Sequence, residues 1–296
     1  MTLTNVSSKV SLMGSTIYSA AKWPALLKEI PKKARPGRLF IKGTPPPKDA
    51  LIISIVGTRN PTSYGRDAAH EIARELAGRG IILASGLAMG IDSIIHRAAL
   101  EAGAPTLAVL GSGLNEDVLY PKENLDLAQK IVAGGGALIS EYEDAQKPEL
   151  WTFPQRNRII AGIAKVVIVI EAGEKSGALI TARFAAEFGR EVMALPGSIF
   201  HSQSAGTNAL IKDGASPITS ADDVFSALGL DPARKDKKTT PESAEEAKIL
   251  NILEEELPLD EIIKRTGIGP HAVLSATAAL EIRGAVKNSG GLWRKT

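Results

Sequence analysis

The chain has 296 residues, 44% of them hydrophobic, enough to bury a sizeable core in one large or two unequal domains. It contains no cysteine, which excludes a disulfide framework and a thiolate metal site and makes a reducing cytoplasm the expected compartment. The net charge of +2 is unevenly spread: +7 over residues 1–50, −5 over 51–228, +1 over 229–243 and −1 over 244–296. A polyanion would therefore have to meet a local cluster of cations, because the main part of the chain repels it.

Residues 1–49 form a basic N-terminal extension, read as a solvated arm or a binding surface. The opening "MTLTNVSSKVSLMGS" has no long apolar region, and the longest apolar runs, such as "VVIVI", are strand-length, so neither export nor membrane insertion is expected. From residue 50 onward, apolar runs alternate with helical patterns. Strands are expected at 51–56, 81–84, 106–110, 137–140, 166–172 and 191–195, and helices at 64–78, 91–102, 122–133, 155–163, 178–188 and 206–213. The strands are nearly continuous apolar runs, as in a parallel sheet buried on both faces. This alternation specifies an α/β domain over 50–228, doubly wound, with the loops after its strands gathered along one edge.

Residues 229–243, "GLDPARKDKKTTPES", are polar and carry two prolines, the composition of a linker. Beyond them, 244–296 reads as three helices followed by the Gly-tipped hairpin "VKNSGGLWRKT", a small winged-helix domain.

The loops hold the functional signal. "GTRNPTSYG" follows the first strand where a dinucleotide-binding loop would continue with glycines, but it offers Arg59 instead. A guanidinium there presents a planar fork of donors to a phosphate standing further out, or makes a structural salt bridge. "SGLAMGID" opens with Ser85 and Gly86, and "EAGEKSGALITA" places Lys175, Ser176 and Gly177 at a helix start. "AGTNAL" repeats the theme with Thr207 and Asn208. Glycine with Ser or Thr ahead of a helix leaves free N–H groups that suit phosphate, and four such loops on one edge are a much stronger signal than one.

The segment "KPELWTFPQRNRIIAG" concentrates Lys147, Trp151, Phe153, Gln155, Arg156, Asn157 and Arg158 after the fourth strand. Pro154 suits the first turn of a helix. Arg156 and Arg158, two apart, cannot share a helix face, so one is expected to reach a phosphate while the other braces the loop against Glu171 or Glu141. Trp151 is expected to be exposed and Phe153 to lie in the core. Interleaved cations and aromatics suit single-stranded nucleic acid, whose bases stack on rings while charges track the backbone. The four histidines are scattered without metal-ligand spacing, and no nucleophile elbow, P-loop or paired acid and base is present. The expectation is a binding protein with no catalytic residue, no metal and no cofactor.

Together, "SIVGTRNPTSYG", "SGLAMGID", "AVLGSGL", "YPKEN", "LISEY", "FPQRNRIIAG", "IEAGEKSGALITA", "ALPGS" and "GTNALI" resemble the DNA-processing protein A (DprA, also called Smf) family over roughly residues 40–225. The resemblance implies an extended Rossmann-like, mostly parallel sheet that binds single-stranded DNA. It also implies a recombination mediator that protects incoming strands in natural transformation and loads the RecA recombinase, as a homodimer needing no nucleotide. On the family pattern Arg59 is a principal phosphate contact, the Lys147–Arg158 segment lines the strand's pocket, and Ser176 and Gly177 lie beside it. Two departures stand out. The sterile-alpha-motif-like module that often precedes the Rossmann unit is expected to be absent or vestigial, since only about 40 residues stand ahead of it. The presumed recognition helix, "PHAVLSATAALEIR", offers few cations, so the winged helix is expected to contact mainly protein.

Three alternatives remain. A nucleoside-monophosphate phosphoribohydrolase would need a P-G-G-x-G-T-x-x-E loop where this chain has "EAGEKSGALITARFA", and a nicotinamide dehydrogenase would need the missing G-x-G-x-x-G. A family paralogue serving another DNA transaction would share the same groove.

Overall fold

The computed structural model describes residues 14–230, 243–253, 255–282 and 285–295. Residues up to Gly229 form one compact unit and those from Leu230 a second. The expected linker lies almost wholly outside the described residues.

In the first unit, the strands in chain order are β1 (Thr16–Ile17), β2 (Phe40–Gly43), β3 (Ile52–Val56), β4 (Ile82–Ser85), β5 (Thr106–Leu110), β6 (Ala137–Ser140), β7 (Val166–Val169), β8 (Glu191–Ala194) and β9 (Ser216–Pro217). The helices are α1 (Ala25–Glu29), α2 (Ser63–Gly78), α3 (Ile91–Glu101), α4 (Leu125–Ala133), α5 (Thr152–Ile163), α6 (Gly177–Glu187), α7 (Ala205–Lys212) and α8 (Ala221–Ala227). All strands join one sheet in the order β1-β2-β6-β5-β4-β3-β7-β8-β9. From β6 to β9 every neighbouring pair is parallel, while β1 and β2 run antiparallel at one edge. This is the Rossmann-like, mostly parallel architecture that the alternating pattern specifies.

The apolar runs are explained by burial on both faces. Ile52 and Val56 pack with Leu27 of α1, Ile159 and Ile163 of α5 and Ala182 of α6. Ile53 and Ile55, one residue out of phase, pack with Ile72 and Leu76 of α2, Ile95 of α3 and Phe225 of α8. Each such aliphatic side chain, fully buried, is worth about 1.5–3 kcal/mol. The chain steps outward from β3 through β4 and β5 to β6, then returns past β3 to β7 and β8. The loops after β3 and β7 therefore part in opposite directions, and a crevice opens between them.

The described part of the N-terminal segment is not a solvated arm. Tyr18, Trp23, Leu27, Ile30 and Leu39 are buried, and β2 pairs with β6 across the registers Phe40 with Ser140 and Ile41 with Ile139. Two of its cations are drawn into local bonds: buried Lys42 Nζ donates to the Leu114 carbonyl at 2.7 Å and Arg35 Nε to the Ile30 carbonyl at 2.8 Å. The apolar residues set between the lysines cover an otherwise open edge of the parallel sheet, which the charge count could not reveal.

The second unit has α9 (Ala244–Ile252), α10 (Leu259–Thr266) and α11 (Pro270–Ile282), with a sheet of β10 (Leu257–Pro258), β12 (Leu292–Lys295) and β11 (Val286–Ser289). Ile249, Leu253, Ile262, Val273, Leu280 and Trp293 form its core. This is a winged helix. On α11 the exposed residues are Pro270, His271, Ala272, Leu274, Ser275, Ala278 and Glu281, with no lysine or arginine among them. Among the described residues no helix is long and apolar enough to cross a membrane.

Candidate nucleic-acid interface

The crevice between the loops after β3 and β7 is an open cleft of about 550 Å³. Its first wall is Gly57, Thr58 and Arg59. Buried Glu171, just past β7, fixes this loop: its carbonyl accepts from the Thr58 amide at 2.7 Å, and its carboxylate accepts from the Thr62 amide at 2.9 Å and the Thr62 hydroxyl at 2.6 Å. Thr62 in turn caps α2, accepting from the Gly65 amide at 3.1 Å. Behind the loop, Gly90 adopts φ 78°, and a Cβ there would stand 2.5 Å from the carbonyl oxygens of Thr58 and Arg59. Only glycine allows that approach.

Arg59 itself is exposed and has no carboxylate partner among the described residues. Its guanidinium carbon lies 5.8 Å from the centroid of the Phe153 ring, a cation–π distance. The salt-bridge reading of Arg59 therefore finds no partner among the described residues.

The opposite wall is Gly173, Lys175, Ser176 and Gly177 at the start of α6. Ser176 is the N-cap, its hydroxyl accepting from the Ala178 amide at 3.3 Å. The positive end of the eleven-residue helix thus opens into the cleft beside an exposed lysine. Asn157 holds this wall from below, Nδ2 donating to the Gly177 carbonyl at 3.2 Å.

Arg156 forms the floor. Its side chain is buried and donates to the carbonyls of Gly86, at 2.7 Å, and Val109, and to Asn157 Oδ1 at 3.2 Å. Burial draws its pKa down to about 10, opposed by the nearby charge of Asp92. Burial pushes the Asp92 carboxyl up, while the Arg156 charge and the Ala88 and Gly86 amides hold it down. The two side chains clamp one loop: Arg156 holds the Gly86 carbonyl, and Asp92 holds the amides of Gly86 and Ala88. Between these anchors Leu87 takes φ 58°, a left-handed conformation that a non-glycine residue accepts only when its surroundings enforce it. Asn124 Nδ2 adds bonds to the carbonyls of Leu87 and Ala88 at 2.9 and 3.2 Å.

Arg158 points away from the cleft. Its Nη2 lies 2.7 and 2.6 Å from the two carboxylate oxygens of Glu141, so Glu141 rather than Glu171 is the brace. Arg156 and Arg158 do occupy different faces of α5, and of the two only Arg156 lines the cleft.

Several expected site residues stand elsewhere. Ser85 is fully buried, its hydroxyl bonded to the Ile55 carbonyl at 2.6 Å, so it ties β4 to β3. Gly86 contributes its backbone to a small side cavity beside Arg59; a Cβ there would lie 2.6 Å from the Arg156 guanidinium. Asn208 bonds the Gly197 amide and carbonyl at 3.2 and 3.0 Å and braces the loop after β8 instead of facing the cleft. Lys147 and Gln155 are exposed but do not line it; Gln155 Oε1 accepts from Tyr142 Oη at 3.3 Å. Trp151 is half exposed, whereas Phe153 lies outside the core clusters and lines the cleft. The missed signal for Phe153 was Gly111, where a Cβ would stand 2.9 Å from the Phe153 ring. Thr58, Asp92, Leu150 and Tyr120 also line this region, and none carries a pattern that sequence spacing exposes.

The sequence pattern described as DNA recombination-mediator protein A matches residues 15–229. The chain belongs to this family. The DprA winged helix domain pattern matches residues 232–291, across the second unit. The DNA processing protein DprA of Bacillus subtilis is 42% identical over 229 residues, covering 75% of this chain and 73% of that protein. Protein Smf of Escherichia coli is 37% identical over 259 residues, covering 84% of this chain and 69% of that protein. Among solved structures, DprA of Streptococcus pneumoniae aligns with a TM-score of 0.65 and 38% identity, over 73% of this chain and 75% of that one. DNA processing protein A of Helicobacter pylori, studied for its single-stranded DNA binding mode, aligns with a TM-score of 0.62 and 31% identity, over 72% and 95%. The matched residues 15–229 include Arg59, Arg156 and the start of α6.

Proposed function

We propose that the protein binds single-stranded DNA along the cleft between the β3 and β7 loops, acting as a recombination mediator by binding and not by catalysis. The observation that carries this reading is the pairing of an exposed, unneutralised Arg59 with Lys175 and the α6 N-terminus across one open cleft. These donors are exposed and line an open cleft, which suits successive phosphates of a polymer better than one enclosed pyrophosphate. Asp92 is the only carboxylate among the cleft's lining residues, and it is occupied by backbone amides, which leaves no acid–base pair for glycosidic hydrolysis. The H. pylori relative's single-strand binding supports the same assignment.

Protection of incoming strands, loading of RecA, action as a homodimer and residence in the cytoplasm complete the proposal, on the strength of family membership. The deciding experiment is fluorescence anisotropy with labelled oligo-dT and a duplex control, across a salt series. With three to five phosphates neutralised, log affinity should fall with log salt at a slope of about −2 to −3.5. A slope near zero, or no single-strand preference, would overturn the reading and direct attention to nucleoside monophosphates.

A further inference from the structure

The cationic cleft ends at Phe153, whose ring is shared by three cavities: the cleft, the side cavity beside Arg59, and an open cavity of about 560 Å³ on the far side. That far cavity is lined by Tyr120, Pro148, Glu149, Leu150, Trp151 and Phe153. It differs from the cleft in chemistry. None of its lining residues is cationic, and its single charged residue is an acid. Its apolar surface is displayed: Leu150 is 91% exposed, Trp151 50% and Tyr120 47%.

The rings there are also held in place. Tyr120 lies 5.7 Å from Phe153, and Trp151 makes an edge contact with Tyr142 at 5.8 Å. The indole Nε1 donates to Glu149 Oε2 at 2.7 Å, and Gln146 Nε2 donates to the other carboxylate oxygen at 3.2 Å. Trp151 is therefore half exposed yet fixed in orientation, an arrangement that gives a stacking platform little entropy to lose.

We infer that the Tyr120–Leu150–Trp151 cavity is a base-stacking subsite, filled by bases of the same strand whose phosphates occupy the Arg59–Lys175 cleft. The inference rests on the proposed function and deepens it by locating single-strand selectivity. The occupant follows from continuity through Phe153 and from charge: the Glu149 carboxylate repels a phosphate at the rim, whereas an aromatic wall accepts the face of any base. A strand crossing Phe153 keeps its backbone over the cations and turns its bases outward onto the rings. In a duplex those faces are already stacked on one another, so a duplex can use the cations but not the rings.

The test compares oligo-dT with an abasic deoxyribose-phosphate oligomer of equal length and charge, on the full chain and on Trp151→Ala and Leu150→Ala. Wild type should bind oligo-dT about 5- to 150-fold more tightly than the abasic oligomer. Trp151→Ala should shrink that ratio while leaving the salt slope unchanged, because no phosphate contact is removed. Tryptophan emission should be quenched by oligo-dT and not by the abasic oligomer, since Trp23 and Trp293 are buried. Equal affinity for the two oligomers, with a normal salt slope, would overturn the subsite and leave the phosphate cleft standing. Loss of salt dependence for both would instead overturn the parent reading. If Trp151→Ala failed to fold, the oligomer comparison on wild type would still decide.

Discussion

Arg158 and Glu141 form a near-bidentate pair, one guanidinium nitrogen lying within 2.7 Å of both carboxylate oxygens, with both side chains mostly shielded. The pair ties α5 to the end of β6 and withdraws from the cleft one of the two arginines that the "QRNR" motif offers. Arg158→Met should lower stability by about 1–3 kcal/mol, because Glu141 loses its partner in a partly desolvated site. Melting would fall by about 2–12 °C, at 2–4 °C per kcal/mol for a unit of this size. The salt slope for oligo-dT should be unchanged, and a flatter slope would place Arg158 on a phosphate.

Arg59→Ala should behave in the opposite way. The side chain is exposed and meets the Phe153 ring but no carboxylate among the described residues, so melting should shift by less than the effect of Arg158→Met. Affinity for oligo-dT should fall about tenfold or more, the value of a charge-assisted hydrogen bond. The salt slope should flatten by about 0.7, the share of one phosphate. The same titration series measures both quantities.

Gly90→Ala tests how the Arg59 loop is supported. A Cβ at this positive φ meets the Thr58 and Arg59 carbonyls at 2.5 Å, so backbone must move. The expected cost is about 1–3 kcal/mol in stability, with a weakening of oligo-dT binding comparable to Arg59→Ala. Urea unfolding and anisotropy on one preparation would check both. Lost stability with intact binding would show that the loop reaches its geometry without Gly90.

His96 gives the first unit an acid sensitivity. It is fully buried, its Nδ1 is 2.8 Å from Thr106 Oγ1, and burial, helped by the Arg156 charge, lowers its pKa to about 3. In the unfolded chain the ring would protonate near pH 6.5. Between these values the unfolded state binds the extra proton, so stability falls as pH drops below about 6.5 and levels off near 3. Asp92, with its raised carboxyl pKa, acts in the opposite direction and offsets part of the loss. His96→Asn should flatten the fall in unfolding free energy between pH 7 and 5, measured by urea titration. An unchanged pH profile would assign the sensitivity elsewhere.

The winged helix should add little to strand affinity. The exposed face of α11 carries His271, Leu274, Ser275 and Glu281 but no lysine or arginine to meet a phosphate or a base edge. Deleting residues 230–296, which leaves the first compact unit intact, should weaken oligo-dT binding by less than tenfold. A greater loss would show that this module grips DNA directly.

The sequence by itself determined the central sheet. Runs such as "TLAVL" and "ALIS" are strands β5 and β6 to the residue, because apolar side chains on both faces can be satisfied only between two helical layers. It also determined the edge on which Arg59, Lys175 and the Ser176 cap gather, since each follows its strand directly and chain direction fixes where loops emerge. Tertiary structure decided which polar residues remain available. Asn208, Ser85, Arg158 and Arg156 look equivalent to Arg59 in a one-dimensional pattern. Three-dimensional proximity binds Asn208 to Gly197, Ser85 to Ile55, Arg158 to Glu141 and Arg156 to Gly86, while Arg59 meets no carboxylate among the described residues. The partner that satisfies each donor lies 11 to 70 residues away in sequence, and only the packed fold brings the two within hydrogen-bond range.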